Sequence, residues 1–364
     1  MPALVRDPIL NFLSAYPSYE KTPHIGTRFP DASVQLSQWL KADNADQLIK
    51  DLATLVSHRG VVFFSNQDLT VEEQRLLGTR LGELSGKPKS STLHKHPITE
   101  ATPEFGADIS VISSEGGITQ IDRQRIQRAS NGWHADITFE KVPSDYAILK
   151  MHTLPPAGGD TLWASGYEAY DRLSPAFKTW LEGLHAVHDG KFFIDVGHDI
   201  QCLASLENLT YTLSTPRQTG IPVQDHRGSP ENVGEDLTAV HPVIRTNPVT
   251  GFKTLFTRRI VELSQEESDH VLDYLFRHVS ENHDLQVRYR WQPNDIAIWD
   301  NRSTYHTATY VFLSAAELGV ADALVLQERL WRRRRAGNRV VSIGEKPFFD
   351  PKSKSRREAL GIEY

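Results

Sequence analysis

The run Trp133-His134-Ala135-Asp136-Ile137-Thr138-Phe139 restricts what this chain can fold into more than any other stretch. His134 and Asp136 are two residues apart, and on an extended backbone that spacing turns both side chains to one side. A neutral imidazole nitrogen and a carboxylate oxygen then face the same point, a donor pair suited to a divalent first-row metal. A third ligand must come from elsewhere in the chain, so the fold has to bring a distant histidine to this strand. The bland alternative is a surface strand with a solvated Asp136 and a hydrogen-bonded His134.

Composition narrows the classes. The chain has 364 residues, enough for a large core. At about 150 residues per domain it could hold two, although decorated barrels reach this size as one unit, and a single domain over 1–364 is expected. The net charge of -6 gives no reason to expect nucleic acid or an anionic membrane as partner. Cys202 is the only cysteine, which excludes disulfide scaffolds and thiolate metal sites and points to a reducing compartment. No secretory signal opens the chain and no stretch is apolar enough for a membrane span, so a cytoplasmic protein is expected.

The pattern along the chain is one of short strands with a few amphipathic helices. Residues 1 to about 40 begin as a Pro-, Tyr- and Phe-rich irregular arm. Leu48, Ile49, Leu52, Leu55 and Val56 recur at helical steps, and Gly60 stands at a C-cap position. Val61–Phe64 reads as a short buried strand. Thr70 and Glu73 form a capping box ahead of Leu76, Leu77 and Leu81. His94-Lys95-His96 reads as a loop with two ordinary histidines, or as a second His-x-His metal candidate without a carboxylate beside it. Strands are expected at Tyr146–His152 and Asp160–Trp163, separated by the turn Pro155–Gly159. Ser174-Pro175 starts a helix with Phe177, Trp180, Leu181 and Leu184 as its buried stripe, and His185 and His188 read as helix-end residues. Residues 186–240 look irregular. Two strands, His241–Arg245 and Lys253–Phe256, flank the turn Asn247–Gly251. Ser264 and Glu267 cap a helix through Val271, Leu272, Leu275 and Val279. Strands follow at Gln286–Trp291, Ile296–Trp299 and Arg339–Ile343. An insert at about 312–328 and a polar tail at 345–364 complete the chain. This reads as a mainly β protein with helical decoration, a double-sheet jelly roll.

Four blocks, taken together, resemble the TauD/TfdA family, the Fe(II)/2-oxoglutarate-dependent dioxygenases related to taurine dioxygenase. They are Trp133-His134-Ala135-Asp136 with Thr138-Phe139, then Leu154–Thr161, then Trp299-Asp300-Asn301-Arg302 leading to His306, and finally Arg335 and Arg339 before Gly344-Glu345-Lys346-Pro347. His241-Pro242-Val243 with Gly251 is a fifth, softer match. The resemblance implies a double-stranded β-helix, the cupin-like jelly roll whose open end holds a metal. It implies Fe(II), 2-oxoglutarate and O2 as the reacting partners and a small-molecule substrate whose unactivated C–H bond is oxidised with release of succinate and CO2. The resemblance also allows a homo-oligomer, a dimer or tetramer.

By position, the resemblance makes His134, Asp136 and His306 the iron ligands and Thr161 the hydroxyl on the far carboxylate of 2-oxoglutarate. Arg335 becomes the guanidinium paired with that carboxylate, and Arg339 a second arginine near the metal-bound end and the substrate's acidic group. Arg329 and Arg333 form a competing register with the same spacing. Asp300 and Asn301 are expected to brace the His306 turn. His96 falls where a substrate-contacting histidine is expected, and Thr99 replaces an aromatic residue there, which argues against taurine itself. Substrates of the sulfonate or amino/carboxylic acid class fit. An alternative is an oxidase of secondary metabolism acting on an amino acid by hydroxylation, desaturation or ring closure. A more distant one is a Zn-dependent hydrolase using the same three ligands.

Overall fold

The computed structural model describes residues 11–98, 105–114, 129–191, 193, 224–309 and 334–362. Thr99, Cys202, Arg329, Arg333 and the 312–328 insert lie outside these. The strands, in chain order, are β1 (Tyr19–Glu20), β2 (Thr27–Phe29), β3 (Val61–Phe64), β4 (Ile109–Ser113), β5 (Ser144–Thr153), β6 (Thr161–Ser165), β7 (His185–Asp189) and β8 (Thr238–Pro242). They continue with β9 (Ile244–Thr246), β10 (Lys253–Leu255), β11 (Arg259–Ile260), β12 (Gln286–Tyr289), β13 (Ile296–Asp300), β14 (Thr304–Ala308) and β15 (Ala336–Ile343). Seven of them form one sheet in the order β1-β2-β3-β13-β5-β15-β4, and β12-β6-β14 form a second. The remaining strands make two small sheets, β11-β7-β8 and β10-β9. The protein is mainly β, with helices on the outside. Among the described residues no helix is long and apolar enough to cross a membrane.

The unbroken apolar runs follow from this layering. In β3, Val62 and Phe64 join Ile296 and Ile298 of β13 under the helices Leu36–Lys41, Ala45–Arg59 and Val71–Leu84. The alternate residues, Phe63, Ala297 and Trp299, face the second sheet and pack with Trp163, Val287 and Tyr289. Strands covered on both faces have no solvent side to mark with polar residues. Aromatic rings fill the space between the sheets: Phe63 stacks on Tyr289 at 4.1 Å, and Trp163 meets Trp299 at 5.8 Å. A third cluster lies behind the second sheet, where Ala164 and Tyr305 pack with Leu275 and Val279 of the helix Gln265–Ser280.

Local signals placed several elements correctly. Both capping boxes form, at Thr70/Glu73 and Ser264/Glu267. Gly60 ends its helix with φ +74, and a Cβ there would sit 2.8 Å from the Thr304 methyl, so the position admits only glycine.

Other expectations are overturned. The irregular arm contributes β1 and β2, with β2 pairing parallel to β3 and widening the large sheet. Leu76 and Trp180 are exposed, because their helices bury narrower stripes than the spacing suggests. His185 and His188 are strand residues of β7, paired with β8. His241–Arg245 is not one strand: Val243 divides β8 from β9, and each pairs with a different partner. The stretch after Gly344 is no polar tail. Glu345 accepts from Arg245 at 2.6 Å, and the segment returns along β10 before its own helix, Arg356–Leu360.

The turn between β13 and β14 is fixed by a buried ion pair. The guanidinium of Arg302 donates to both carboxylate oxygens of Asp300 at 2.8 Å, and Asn247 donates to the same carboxylate at 3.0 Å. Arg302 also lies 4.7 Å over the Tyr146 ring. Burial would raise the Asp300 carboxyl, but the Arg302 charge and these hydrogen bonds outweigh it and hold the group below the usual carboxylate range. Asp300→Asn should leave the buried Arg302 with only its longer contact to Glu345, at 3.4 Å, and cost about 3–5 kcal/mol. Urea unfolding followed by tryptophan fluorescence checks this. A carboxyl depressed in the folded state contributes stability at neutral pH that is lost as the pH falls below about 4. The gap between wild type and D300N should therefore narrow in acid; an equal gap at pH 7 and pH 3 would refute the assignment.

Candidate active site

The site is organised by one residue pair. His134 and His306 exchange backbone hydrogen bonds, His134 N–H to His306 O at 3.0 Å and His306 N–H to His134 O at 2.7 Å. His134 is thus a one-residue strand on the free edge of β14, opposite β6. Residues paired this way carry their side chains on the same face, and the two imidazole centroids lie 4.3 Å apart. Two residues on, Asp136 brings Oδ1 to 3.9 Å from His134 Nε2 and 3.8 Å from His306 Nε2. One ligand atom from each of the three falls within 4.8 Å of the others, the only such cluster among the described residues.

Backbone geometry and hydrogen bonds set these positions. Ile137 adopts φ +48, uncommon for a β-branched residue, which turns the chain away just past Asp136. The Asp136 N–H donates to Asn301 Oδ1 at 3.1 Å, and that amide is itself held by the Trp299 indole at 3.0 Å and the Ser144 hydroxyl at 2.9 Å. His241 Nε2 lies 3.0 Å from the carbonyls of both Thr138 and Glu140, so it donates its proton to the turn that follows Asp136. His134 Nδ1 is 2.7 Å from the Gly132 carbonyl. That contact puts the ring proton on Nδ1 and leaves the Nε2 lone pair facing the cluster.

The electrostatics favour metal-ready protonation states. Burial would raise the Asp136 carboxyl, yet Arg339 first, then His306 and His134, hold it at about 2. Arg339 donates to Asp136 Oδ1 at 2.8 Å. Burial and the neighbouring His134 push His306 down to about 3, so its ring is neutral at pH 7. Asp136 Oδ2 is buried without a hydrogen-bond partner among the described residues. A buried carboxylate oxygen with nothing to accept, beside the neutral His306 ring and the Nε2 of His134, fits a divalent cation.

The other candidates fall into two groups. In β6, Thr161 and Trp163 share a face, and Trp163 pairs with His306 while Thr161 pairs with Ala308. Thr161 and His306 therefore face the space between the sheets, one ladder step, roughly 7 Å, apart. Arg335 reaches across from the large sheet, with Nη2 3.2 Å from the Thr161 hydroxyl and Nε 3.0 Å from the Gly159 carbonyl. The Trp291 indole donates to the same hydroxyl at 3.0 Å. Arg335 and Arg339 have the same parity along β15. The pairing irregularity near Ala336 skips a residue in β5 rather than β15, so the alternation between them is intact.

His96 is not one of the three clustered side chains, but its ring lies close enough to feel the charges of Asp136 and Arg339. Its Nδ1 is 2.8 Å from the Ile98 carbonyl, its ring packs edge-on against Phe193, and burial, then His94, depress it to about 3. The His94/His96 pair is no second metal site: their rings lie 6.3 Å apart, and His94 is spent on Glu140 at 3.4 Å. Glu140 is also clamped by Arg227, at 2.5 and 3.1 Å. Sequence reading missed Glu140, Arg227, Gly132 and Trp291, because each acts through a contact with no local spacing. His241 carried a signal in the His-Pro-Val block.

Comparison with known proteins agrees with this geometry. Residues 18–317 match the family described as "Taurine catabolism dioxygenase TauD, TfdA family". The chain is 42% identical over 380 residues to the alpha-ketoglutarate-dependent dioxygenase btcD of Neocamarosporium betae, covering 98% of this chain and 99% of that protein. It is 41% identical over 359 residues to the alpha-ketoglutarate-dependent dioxygenase oryG of Aspergillus oryzae, covering 96% and 94%. An alpha-ketoglutarate-dependent sulfonate dioxygenase of Saccharomyces cerevisiae is 32% identical over 285 residues, 77% of this chain and 61% of that one. Among solved structures, a putative alpha-ketoglutarate-dependent taurine dioxygenase from Burkholderia xenovorans superposes with a TM-score of 0.60 at 25% identity, over 93% of this chain and 92% of that one. The chain belongs to the TauD/TfdA family and is an oxidoreductase, an alpha-ketoglutarate (2-oxoglutarate)-dependent dioxygenase.

Proposed function

We propose that this dioxygenase uses Fe(II) held by His134, Asp136 and His306, at the open end of a double-stranded β-helix formed by the two larger sheets. The observation that carries the reading is the convergence of the three side chains within 4.8 Å, with Asp136 Oδ2 buried and unpartnered. A ferrous ion bound there supplies O2 activation coupled to oxidative decarboxylation of 2-oxoglutarate to succinate and CO2, and so oxidation of an unactivated C–H bond. The chain's own residues bind, orient and exclude water.

Arg335 and Thr161 receive the far carboxylate of 2-oxoglutarate. Their 3.2 Å contact supports this, because a guanidinium and a hydroxyl already share one point on the inner face. The planar guanidinium grips a carboxylate through two parallel bonds. Trp291 orients the hydroxyl. Arg339 neutralises Asp136 and lends positive charge to the metal end of the pocket. His96, with Phe193 at its edge, lines the substrate side. Together these favour a small anionic substrate, a sulfonate or an amino or carboxylic acid. The paired Arg335–Thr161 anchor favours a dicarboxylate-dependent oxygenase over a zinc hydrolase, which has no use for it.

Two outcomes test the assignment. His134 is exposed, so His134→Ala should leave the melting temperature nearly unchanged while removing one Fe(II) equivalent in an anaerobic titration and lowering succinate formation at least 1000-fold, about 4 kcal/mol. Turnover at the wild-type rate in that variant would remove the metal assignment. Arg335→Ala should raise the KM for 2-oxoglutarate about tenfold or more, since a charged hydrogen bond contributes roughly 1.5–3 kcal/mol. Arg329→Ala should leave it unchanged; the reverse result would move the anchor to the other register.

A further inference from the structure

We propose a second small-molecule site behind the two histidines, a cavity that takes a small apolar monocarboxylate with Arg258 as its anchor. The cavity has a volume of about 160 Å³ and lies between β10, β11 and the helix Gln265–Ser280. Leu255, Leu272, Leu275 and Val279 supply apolar walls, and Trp133 and Tyr305 close its inner end. A cavity of about 150 Å³ with such walls accommodates a benzene ring, so this one has room for an aromatic ring or a short alkyl chain.

Arg258 makes the cavity more than a packing defect. Three arginines buried more deeply than Arg258 have carboxylates: Arg302 has Asp300, Arg227 has Glu140, and Arg245 has Glu345. Arg258 has no carboxylate within ion-pair distance among the described residues, and the titratable groups that feel its charge are His188 and the Tyr305 phenol. That hydroxyl is already donated to the Leu255 carbonyl at 2.8 Å. A guanidinium half-withdrawn from water beside an apolar void is unfavourable on both counts. A carboxylate with an apolar tail remedies both: the head forms parallel hydrogen bonds with Arg258, and the tail displaces the void. Arg259 and Phe276, both exposed, mark where a ligand enters.

The site is separate from the cosubstrate pocket. Trp133 and Tyr305 are the chain neighbours of His134 and His306, and strand alternation turns them to the opposite face. Tyr305 belongs to the cluster behind the second sheet, whereas Trp163, the ladder partner of His306, faces the space between the sheets. The two sites are back to back across β14. The inference does not depend on which metal or substrate the enzyme uses.

Ligand-observed NMR titration of the full chain with hexanoate and benzoate, in saturating 2-oxoglutarate, tests the site. Wild type should bind both. Arg258→Gln should weaken them at least tenfold and leave the weak binding of hexan-1-ol unchanged. Leu272→Trp, which fills the cavity and keeps the charge, should abolish all three. Thermal melts confirm that each variant is folded, and either variant alone suffices to decide. No binding to wild type, undiminished hexanoate binding in either folded variant, or loss of binding on adding 2-oxoglutarate would overturn the proposal.

Discussion

Everything at the centre of this protein hangs on the backbone pairing of His134 with His306. Two hydrogen bonds, at 3.0 and 2.7 Å, join residues 172 positions apart in the chain and set the separation of the imidazoles. The spacing is therefore a property of a β-ladder. Asp136 is added by the shortest means available, two residues further along the same extended segment, and Asn301 fixes its backbone from the turn that launches β14. The placement of these three side chains and the sheet geometry are one constraint, so the cluster is preorganised as far as the sheet is rigid.

Around that pairing the interior carries matched charges. Asp300, Arg302, Glu345 and Arg245 form one connected set, and His94, Glu140 and Arg227 form another. Buried ion pairs gain little over apolar packing because desolvation offsets the attraction. Their value here is positional. The first set locks the β13–β14 turn to the C-terminal segment, and the second holds the loop carrying His94 and His96 against the turn after Asp136. Arg339 on Asp136 belongs with these pairs by geometry but differs in consequence, since it keeps the carboxylate ionised in a buried place.

The legibility of the chain depended on the range of the interaction read. Capping boxes at Thr70 and Ser264, the proline after Ser174 and the glycine at 60 are short-range devices, and each appears where its residues stand. Val61–Phe64 and Ile296–Trp299 were readable because strands covered on both faces are apolar throughout. The errors cluster where partners are remote. β2 is a strand because β3 offers it an edge, and His188 lies in a strand because β8 lies beside it. Trp180 and Leu76 sit at apolar helix positions that no other element covers among the described residues. The polar composition after Gly344 hid a segment whose Glu345 is needed by two buried arginines.

The sequence alone determined the chemistry on offer: the His134-x-Asp136 pair on one side of a strand, a histidine after the Trp299–Arg302 block, and arginines at four-residue spacing. It did so because the two-residue strand period is local and survives any fold. Only the tertiary structure decided which histidine joins the pair, that Arg335 meets Thr161, that Arg339 is given to Asp136, and that Arg258 is left facing a void. Those outcomes depend on which strands lie side by side, and strand pairing is set by burial over the whole chain rather than by any window of it.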